Sequence, residues 1–309
     1  MRLTELPYLC SSKIYRIMKP ALWKYHLLAF VIVALWGTTF ISTRILLDYG
    51  MTPKEIFLIR FLMAYVGIWL VSPRRLWCNN WRDEAWMLLA GMTGGSIYFL
   101  AENTAVGMTL VTNVSFIVCT APLLTAILAL WLEHRHPTRR LFGGSLLGLM
   151  GVAMVVYNGS FVLRIEPVGD LLSFSAAWMW AFYSLIINRV SGRYGTAFIT
   201  RKVFFYGVLS ILPFFVGSPW QFPLEQLLHP VVLGNVLFLG VIASLVCYVL
   251  WNVVLKRLGT VEASNYIYLN PVFTMICSYI VLGEQMTPMA MLGALLILGG
   301  LYWAGKGKE

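Results

Sequence analysis

Glu102 and Arg60 are ionisable residues inside long apolar stretches of the sequence, where a charge is costly and points to function. A carboxylate in such a place can hold an ammonium group or exchange a proton, and a nearby guanidinium can pair with it instead. The two residues lie at a similar depth from the same side of the predicted membrane, Arg60 near the start of its stretch and Glu102 near the end of its own. Three interpretations of Glu102 stay open: an ion pair with Arg60, a role in substrate binding or proton coupling, or a position at a membrane interface.

Hydrogen-bonding side chains also occur inside the apolar stretches. Asn103 directly follows Glu102, and Tyr268 and Asn270 belong to one polar run that also includes Asn265 and Tyr266. Polar groups in hydrocarbon face either a partner or water. The run is therefore interpreted either as part of a water-filled cavity or as hydrogen bonding between helices, which needs no substrate.

Two prolines fall near the middle of the fourth and ninth apolar stretches. Pro122 and Pro271 each remove a backbone donor and clash with the carbonyl four residues earlier. Backbone groups freed at that depth are tolerated only against protein or a water-filled cavity. We interpret the pair as kinks that line a central cavity, with simple packing kinks as the alternative.

Aromatic side chains could supply the apolar wall of such a cavity. Trp36 and Trp180 precede the small residues Gly37 and Ala181 at roughly equivalent places in the first and sixth stretches. Aromatic residues are also enriched where a membrane meets water, so an interfacial position is the competing interpretation.

The elements that carry these residues are ten apolar stretches, most of them near the roughly 20 residues that a bilayer requires. Apolar residues make up 59% of the chain and charged residues 12%, far from an ordinary soluble domain. The sequence therefore predicts an all-α integral membrane protein. The spans are 26–47, 55–71, 85–106, 110–132, 141–158, 170–188, 197–217, 231–254, 261–282 and 289–304.

Basic residues fall on alternate sides of these spans. With the N-terminus inside, 19 of the 23 Lys and Arg residues are cytoplasmic, Arg44, Lys54 and Arg164 are outside, and Arg60 is within a span. The net charge of +10 is spread over six inner segments, so it favours membrane orientation over nucleic-acid binding. We expect a multi-pass protein of the cell membrane with cytoplasmic tails at 1–25 and 305–309.

An internal repeat relates the two halves. Shifting the chain by 149 positions aligns residues 88–151 with 237–300 at 13 identities. The pairs that chance matching of Leu and Ile would not select are Gly91 with Gly240, Asn103 with Asn252, Ser115 with Ser264, Pro122 with Pro271, Thr125 with Thr274, Gly144 with Gly293 and Gly151 with Gly300. Each repeat, 26–158 and 167–304, holds five spans, so the second enters the membrane in the opposite sense, as in many secondary transporters.

Short motifs in both halves resemble the EamA-like branch of the drug/metabolite transporter superfamily over about residues 26–304. They include residues 36–40 (WGTTF), 59–61 (IRF), 250–252 (LWN), 255–259 (LKRLG), 269–272 (LNPV) and Gly283 with Glu284. His134 and Arg135 stand where the first repeat would carry Gly-Glu. The resemblance implies that helices 1, 3, 4, 6, 8 and 9 surround a cavity and that helices 5 and 10 are peripheral.

The resemblance also implies export of small metabolites by alternating access and without ATP, with amino acids as the first expectation. Proton-coupled efflux of cationic hydrophobic drugs and a membrane protein without transport activity are the alternatives. No catalytic cluster, metal site or cofactor is expected. The expected partners are a small-molecule substrate and the lipid bilayer, and a monomeric state is left open. The candidate cavity residues are Trp36, Thr39, Tyr98, Glu102, Asn103, Trp180, Tyr183, Asn252, Tyr268 and Asn270.

Overall fold

The computed structural model describes residues 22–71, 77–109, 111–133, 138–157, 166–282 and 287–305. Within these ranges every regular element is a helix, which confirms the all-α class. Several features of the sequence lie outside the described residues: the N-terminal tail through residue 21, the basic loop 134–137, Arg164, Gly283, Glu284 and the last four residues.

The first half contains five helical stretches, two of them interrupted. They are α1 (Trp23–Asp48), α2 (Pro53–Val71), α3 (Trp81–Gly91, the π-helical turn Met92–Ser96, and Ile97–Met108), α4 (Val111–Val118 and Ala121–Glu133) and α5 (Arg139–Tyr157).

The second half repeats this arrangement. Its stretches are α6 (Pro167–Ser191), α7 (Thr196–Ile211, continued by the 3₁₀ turn Leu212–Phe215), α8 (Pro230–Leu237, the π-helical segment Phe238–Val246, and Cys247–Leu258), α9 (Thr260–Ser264, the 3₁₀ segment Asn265–Leu269, and Asn270–Leu282) and α10 (Pro288–Gly305). A short 3₁₀ turn, Leu224–Leu228, precedes α8.

Five helical stretches of the described residues are long and apolar enough to cross a bilayer. Large apolar side chains on the outside of the protein are exposed, such as Leu70 (81%), Trp131 (76%) and Ile280 (72%), as expected for a surface that faces lipid. The chain is therefore a multi-pass membrane protein. The five stretches are Trp23–Asp48, Val114–Leu132, Pro167–Ser191, Thr196–Phe215 and Pro230–Leu258.

The irregular segments occupy equivalent places in the two halves. The π-helical turn Met92–Ser96, shifted by 149 residues, falls inside Phe238–Val246. The break between the two segments of α4 corresponds to the end of the 3₁₀ segment in α9. Pro122 and Pro271 are each the second residue of the helical segment after the break, where a missing backbone donor costs nothing. Both halves thus interrupt the same pair of helices at the same depth.

Helices α5 and α10 pack against each other through glycines. A Cβ at Gly300 would come within 2.6 Å of the carbonyl oxygen of Gly144, and a Cβ at Gly151 equally close to that of Gly293. Two helix backbones reach this separation only without side chains between them.

Replacing Gly300 with alanine should lower stability by about 1–3 kcal/mol, because the new methyl group meets the backbone of α5. The adjacent Gly299 is the matched control, since a Cβ there meets nothing within 4 Å. Gly299→Ala should leave stability unchanged or raise it by up to about 1 kcal/mol through helix propensity. Thermal unfolding in detergent checks both variants, and equal melting temperatures would contradict this packing.

Candidate functional site

A cavity lies between the two halves of the protein, at the depth of the interrupted helices. The space open to the centre of a water-sized sphere is about 40 Å³. The lining residues are Trp36, Thr39, Phe40, Arg60, Tyr98, Phe99, Glu102, Val118, Trp180, Tyr248, Ile267 and Asn270.

Seven of the described helices contribute to this lining. They are α1, α3, α4, α6, α8 and α9, the six that the family resemblance implied, and in addition α2 through Arg60. No lining residue comes from α5 or α10.

Aromatic rings form one wall of the cavity. Trp36 and Trp180 meet edge to face, with ring centres 5.3 Å apart, and Tyr248 lies 5.9 and 6.0 Å from the two indoles. Such edge-to-face contacts are favourable for aromatic pairs. The wall combines rings from both halves, because Trp36 is in the first half and the other two are in the second.

The π-helical segments fix two of these rings by accepting their hydrogen bonds. Trp36 donates from Nε1 to the carbonyl oxygen of Ala243 at 3.0 Å, and Tyr248 donates from its hydroxyl to the carbonyl oxygen of Gly94 at 2.7 Å. Each bond joins one half of the protein to the π-helical segment of the other. Segments of this kind occur frequently at functional sites.

Arg60 is a buried cation on this cavity, with 2% of its surface exposed. Its guanidinium carbon lies 4.2 Å from the ring centre of Phe99, and its Nε donates to Ser244 Oγ at 2.9 Å. A cation over an aromatic face is stabilised by the ring quadrupole. The position of Arg60 is therefore set by a ring and a hydroxyl, and not by a carboxylate.

Glu102 lies on the same cavity and accepts a hydrogen bond from the hydroxyl of Tyr98, one helical turn away. Within the described part of the chain, no Lys or Arg is in salt-bridge contact with this carboxylate. The ion pair considered from the sequence is thus not formed as a direct contact with Arg60. Both charges belong to one cavity but are held by different groups.

Two further lining residues carry buried polar atoms without a hydrogen-bond partner among the described residues. They are the indole Nε1 of Trp180, a donor, and the amide Oδ1 of Asn270, an acceptor. Buried polar groups normally have partners, because an unpaired one costs about 1–3 kcal/mol. Unpaired atoms beside a cavity are candidates for ligand contacts.

Four of the residues proposed from the sequence for the cavity are absent from its lining. Asn103 donates to the carbonyl oxygen of Pro53 at 3.2 Å, and Asn252 bonds both Tyr183 and Thr200, at 2.7 and 2.9 Å. These bonds join neighbouring helices, the alternative that the sequence left open for polar groups. The fourth residue, Tyr268, places its ring next to Gly148 of α5.

Five lining residues were not among the candidates from the sequence for cavity contact: Phe40, Phe99, Val118, Ile267 and, as a ligand contact, Arg60. Phe99 lies one helical turn before Glu102, so helical spacing alone could have identified it. The two aliphatic residues carry no signal in the sequence that separates them from ordinary core residues.

A second group of charges, which we term the Asp83–Glu84 cluster, joins the start of α3 to the start of α7. Asp83 pairs with Arg193 and accepts from the Tyr194 hydroxyl at 2.7 Å. Glu84 pairs with Lys202, accepts from the Tyr206 hydroxyl, and accepts from the backbone of Cys78 at 2.9 Å. The members are Cys78, Asp83, Glu84, Arg193, Tyr194, Lys202 and Tyr206.

Cys78 lies in the turn before α3 and belongs to this cluster through its backbone hydrogen bond to Glu84. Burial, reinforced by hydrogen bonding to Glu84, raises the pKa of its thiol to about 12. A thiolate is the reactive form of cysteine, so this thiol reacts slowly at neutral pH.

At the opposite end of the molecule, a buried carboxylate joins the start of α2 to the loop after α7. Glu55 accepts from the backbone of Thr52, Gln221 and Phe222 at 2.8, 2.6 and 3.1 Å. Thr52 and Glu55 have the spacing of a helix capping box. The two halves are thus joined near both ends of α7, by ion pairs around its start and by backbone hydrogen bonds to Glu55 after its end.

Comparisons with known proteins agree with this architecture. The description "EamA-like transporter family" matches residues 23–157 and, a second time, residues 167–305. An "Uncharacterized transporter" of Archaeoglobus fulgidus is 24% identical over 283 residues, which cover 90% of this chain and 96% of that protein.

Some of the relatives have names that mention a substrate. A protein of Escherichia coli named "Probable amino-acid metabolite efflux pump" is 23% identical, over 90% of this chain and 94% of its own length. A "Probable terminal-alkyne amino-acid exporter" of Streptantibioticus cattleyicolor is 22% identical, over 87% and 89%. A solved structure titled "Crystal structure of protein" superposes with a TM-score of 0.70 at 19% identity, over 91% of this chain and 97% of its own, and so supports the fold.

Proposed function

Because this chain belongs to the EamA-like transporter family, we propose that it is a secondary transporter of the cell membrane that exports small metabolites such as amino acids. In this proposal ten helices cross the membrane in two inverted repeats, and both termini are cytoplasmic. The observation that carries it is the cavity between the halves, where a buried cation, a buried anion and an aromatic wall meet.

Alternating access is supported by the symmetry of the helix interruptions. Transporters built from inverted repeats bind substrate near the bilayer midplane, where interrupted helices meet. Here α3 and α8 carry π-helical segments at equivalent places, and α4 and α9 are broken at equivalent prolines. In the proposed cycle the cavity opens toward one side of the membrane at a time.

The direction and the substrate class rest on the relatives. The Escherichia coli protein is named an efflux pump for amino-acid metabolites and the Streptantibioticus cattleyicolor protein an amino-acid exporter. We extend both properties to this chain because the matches span nearly its whole length and because the cavity offers partners for both charges of an amino acid.

Proton-coupled efflux of cationic hydrophobic drugs is the second candidate function. It is favoured by Glu102, a buried carboxylate with no salt-bridge partner in the described ranges and aromatic rings beside it. This candidate predicts pH-dependent dye transport that disappears in Glu102→Gln, whereas amino-acid export predicts no dye transport.

The proposal is tested by thermal stabilisation of the purified protein with amino acids, nucleotide sugars and cationic dyes. A ligand that binds only the folded state stabilises it by about 2.7 kcal/mol at a concentration of 100 times its Kd. We expect stabilisation by a group of amino acids. Stabilisation by dyes alone would replace this function with drug efflux.

The proposed orientation is tested with two exposed glycines that have open space around them. Gly192 lies between α6 and α7, and Gly217 lies after α7. In a variant whose five natural cysteines are alanine, Gly192→Cys should react with a membrane-impermeant maleimide only after cells are opened. Gly217→Cys should react in intact cells, and the reverse pattern would invert the topology.

A further inference from the structure

The cavity combines one buried cation and one buried anion that do not touch, and we propose that this pair recognises zwitterions. Arg60 would bind the carboxylate of an α-amino acid and Glu102 its ammonium group. This inference rests on the proposed transport function and deepens it, because it names the chemical class that the cavity selects and the residues that select it.

Arg60 is prepared to bind a carboxylate. Phe99 stacks on its guanidinium, Ser244 accepts from Nε, and Phe99 itself is packed by Phe57 and Phe61 at 5.8 and 5.4 Å between ring centres. A guanidinium held in this way presents a rigid fork that matches the two oxygens of a carboxylate. Ser244 is the hydrogen-bond acceptor that the described residues supply to Arg60. The remaining donors of Arg60 are therefore available to a ligand.

Glu102 is prepared to bind an ammonium group. Tyr98 donates to one of its carboxylate oxygens, and Tyr98 is in turn packed against Trp180 at 5.3 Å between ring centres. This arrangement holds the carboxyl group in position. The second oxygen is left for a ligand, because Tyr98 is the hydrogen-bond donor that the described residues supply to Glu102.

The unpaired polar atoms of the lining match the same ligand. A zwitterion needs donors for its carboxylate and acceptors for its ammonium group. In the same lining, Trp180 Nε1 is a donor in addition to Arg60, and Asn270 Oδ1 is an acceptor in addition to Glu102. Both residues are more than nine-tenths buried, with 5% and 6% of their surface exposed.

Singly charged ligands fit this cavity less well. A cation would pair with Glu102 but leave Arg60 buried beside another positive charge. An anion would pair with Arg60 but leave Glu102 buried beside another negative charge. A buried charge without a partner is strongly unfavourable, whereas a zwitterion compensates both residues at once. The wall of Trp36, Trp180 and Tyr248 leaves an apolar environment for the side chain of the ligand.

The test compares wild-type protein binding to the free, amidated and N-acetylated forms of L-leucine, L-methionine and L-phenylalanine by calorimetry in detergent. We expect at least one free amino acid to bind at least tenfold more tightly than both of its singly charged derivatives. Equal affinity for an amide or an N-acetyl form would overturn the inference. So would binding of dyes or nucleotide sugars in the absence of binding by any of the three free amino acids, although transport as such would stand.

Variants separate ligand recognition from folding. Arg60→Lys keeps the charge but removes the fork, and should weaken amino-acid binding at least tenfold while reducing the preference for the free acid over its amide. Glu102→Gln should reduce the preference over the N-acetyl form. Arg44→Lys is the matched control, because Arg44 pairs with Asp48 at 3.0 Å and lies outside the cavity lining. Unchanged preferences in folded Arg60→Lys and Glu102→Gln would overturn the assignment, whereas absence of any transported compound would overturn the function instead.

Discussion

Lys202→Met should destabilise the protein by about 3–5 kcal/mol, because it leaves the buried carboxylate of Glu84 without its cation. Both residues are almost completely buried, with 3% and 7% of their surface exposed. A basic residue near the end of a membrane span would ordinarily face lipid headgroups, where its loss costs little. Here the ammonium group is buried, and it also lies 4.8 Å from the ring centre of Trp77.

The measurement is thermal unfolding of Lys202→Met beside Lys256→Met. Lys256 is the matched control, an exposed cation in the last turn of α8, and its loss should change stability by no more than about 0.5 kcal/mol. The double variant Lys202→Met with Glu84→Met should recover part of the lost stability, since it removes both buried charges. Equal melting temperatures for the two single variants would contradict the Asp83–Glu84 cluster.

Trp180→Phe should weaken amino-acid binding about tenfold, because it removes the unpaired indole donor while retaining an aromatic ring in the wall. A hydrogen bond to a charged group contributes about 1.5–3 kcal/mol, and a tenfold change corresponds to about 1.4 kcal/mol. Since the Nε1 donor makes no bond to the described residues, its loss should not reduce the stability of the unliganded protein through a broken hydrogen bond.

Trp178→Phe provides the matched control on the same helix. Trp178 packs between Phe174 and Phe182, at 6.3 and 5.9 Å between ring centres, and does not line the cavity. Its substitution should leave the Kd for amino acids unchanged. The two Kd values are compared by calorimetry. An equal loss of affinity in both variants would contradict a specific role for the indole donor of Trp180 in the cavity wall.

The sequence predicted the class of the protein well, because hydropathy and a repeat are properties of the whole chain. The apolar stretches gave an all-α membrane protein, and the shift of 149 residues aligned glycines and prolines that the structure places at equivalent helix contacts and breaks. These signals can be recognised in the sequence because each of them is set by segment length or by one residue type with a fixed backbone requirement.

The face that a residue presents was harder to predict. Asn103 and Glu102 are adjacent, yet Glu102 lines the cavity and Asn103 bonds the neighbouring helix. Depth along an apolar helix follows from sequence position, but rotation about its axis depends on which neighbours pack where. Membrane helices that are apolar on every side give little periodicity from which to infer that rotation. The π-helical segments of α3 and α8 shift the rotation further and leave no simple sequence pattern.

The Asp83–Glu84 cluster and the contacts of Glu55 also depend on residues that are far apart in the sequence. Glu84 and Lys202 are 118 positions apart, and Glu55 and Gln221 are 166 positions apart. Read separately, Glu55, Glu84 and Lys202 resemble ordinary charges at the ends of membrane spans. Their pairing follows only from the way in which α2 and α3 meet α7.

Efflux from proteoliposomes tests most directly whether the cavity between the halves carries amino acids across the membrane. Vesicles loaded with the twenty common amino acids are compared by mass spectrometry for wild-type protein, Trp180→Phe, the control Trp178→Phe and protein-free lipid. We predict that wild type and Trp178→Phe release at least one amino acid faster than protein-free vesicles, and that Trp180→Phe releases it several-fold more slowly. Release by wild type no faster than by protein-free vesicles, or equal release by the two tryptophan variants, would contradict the account.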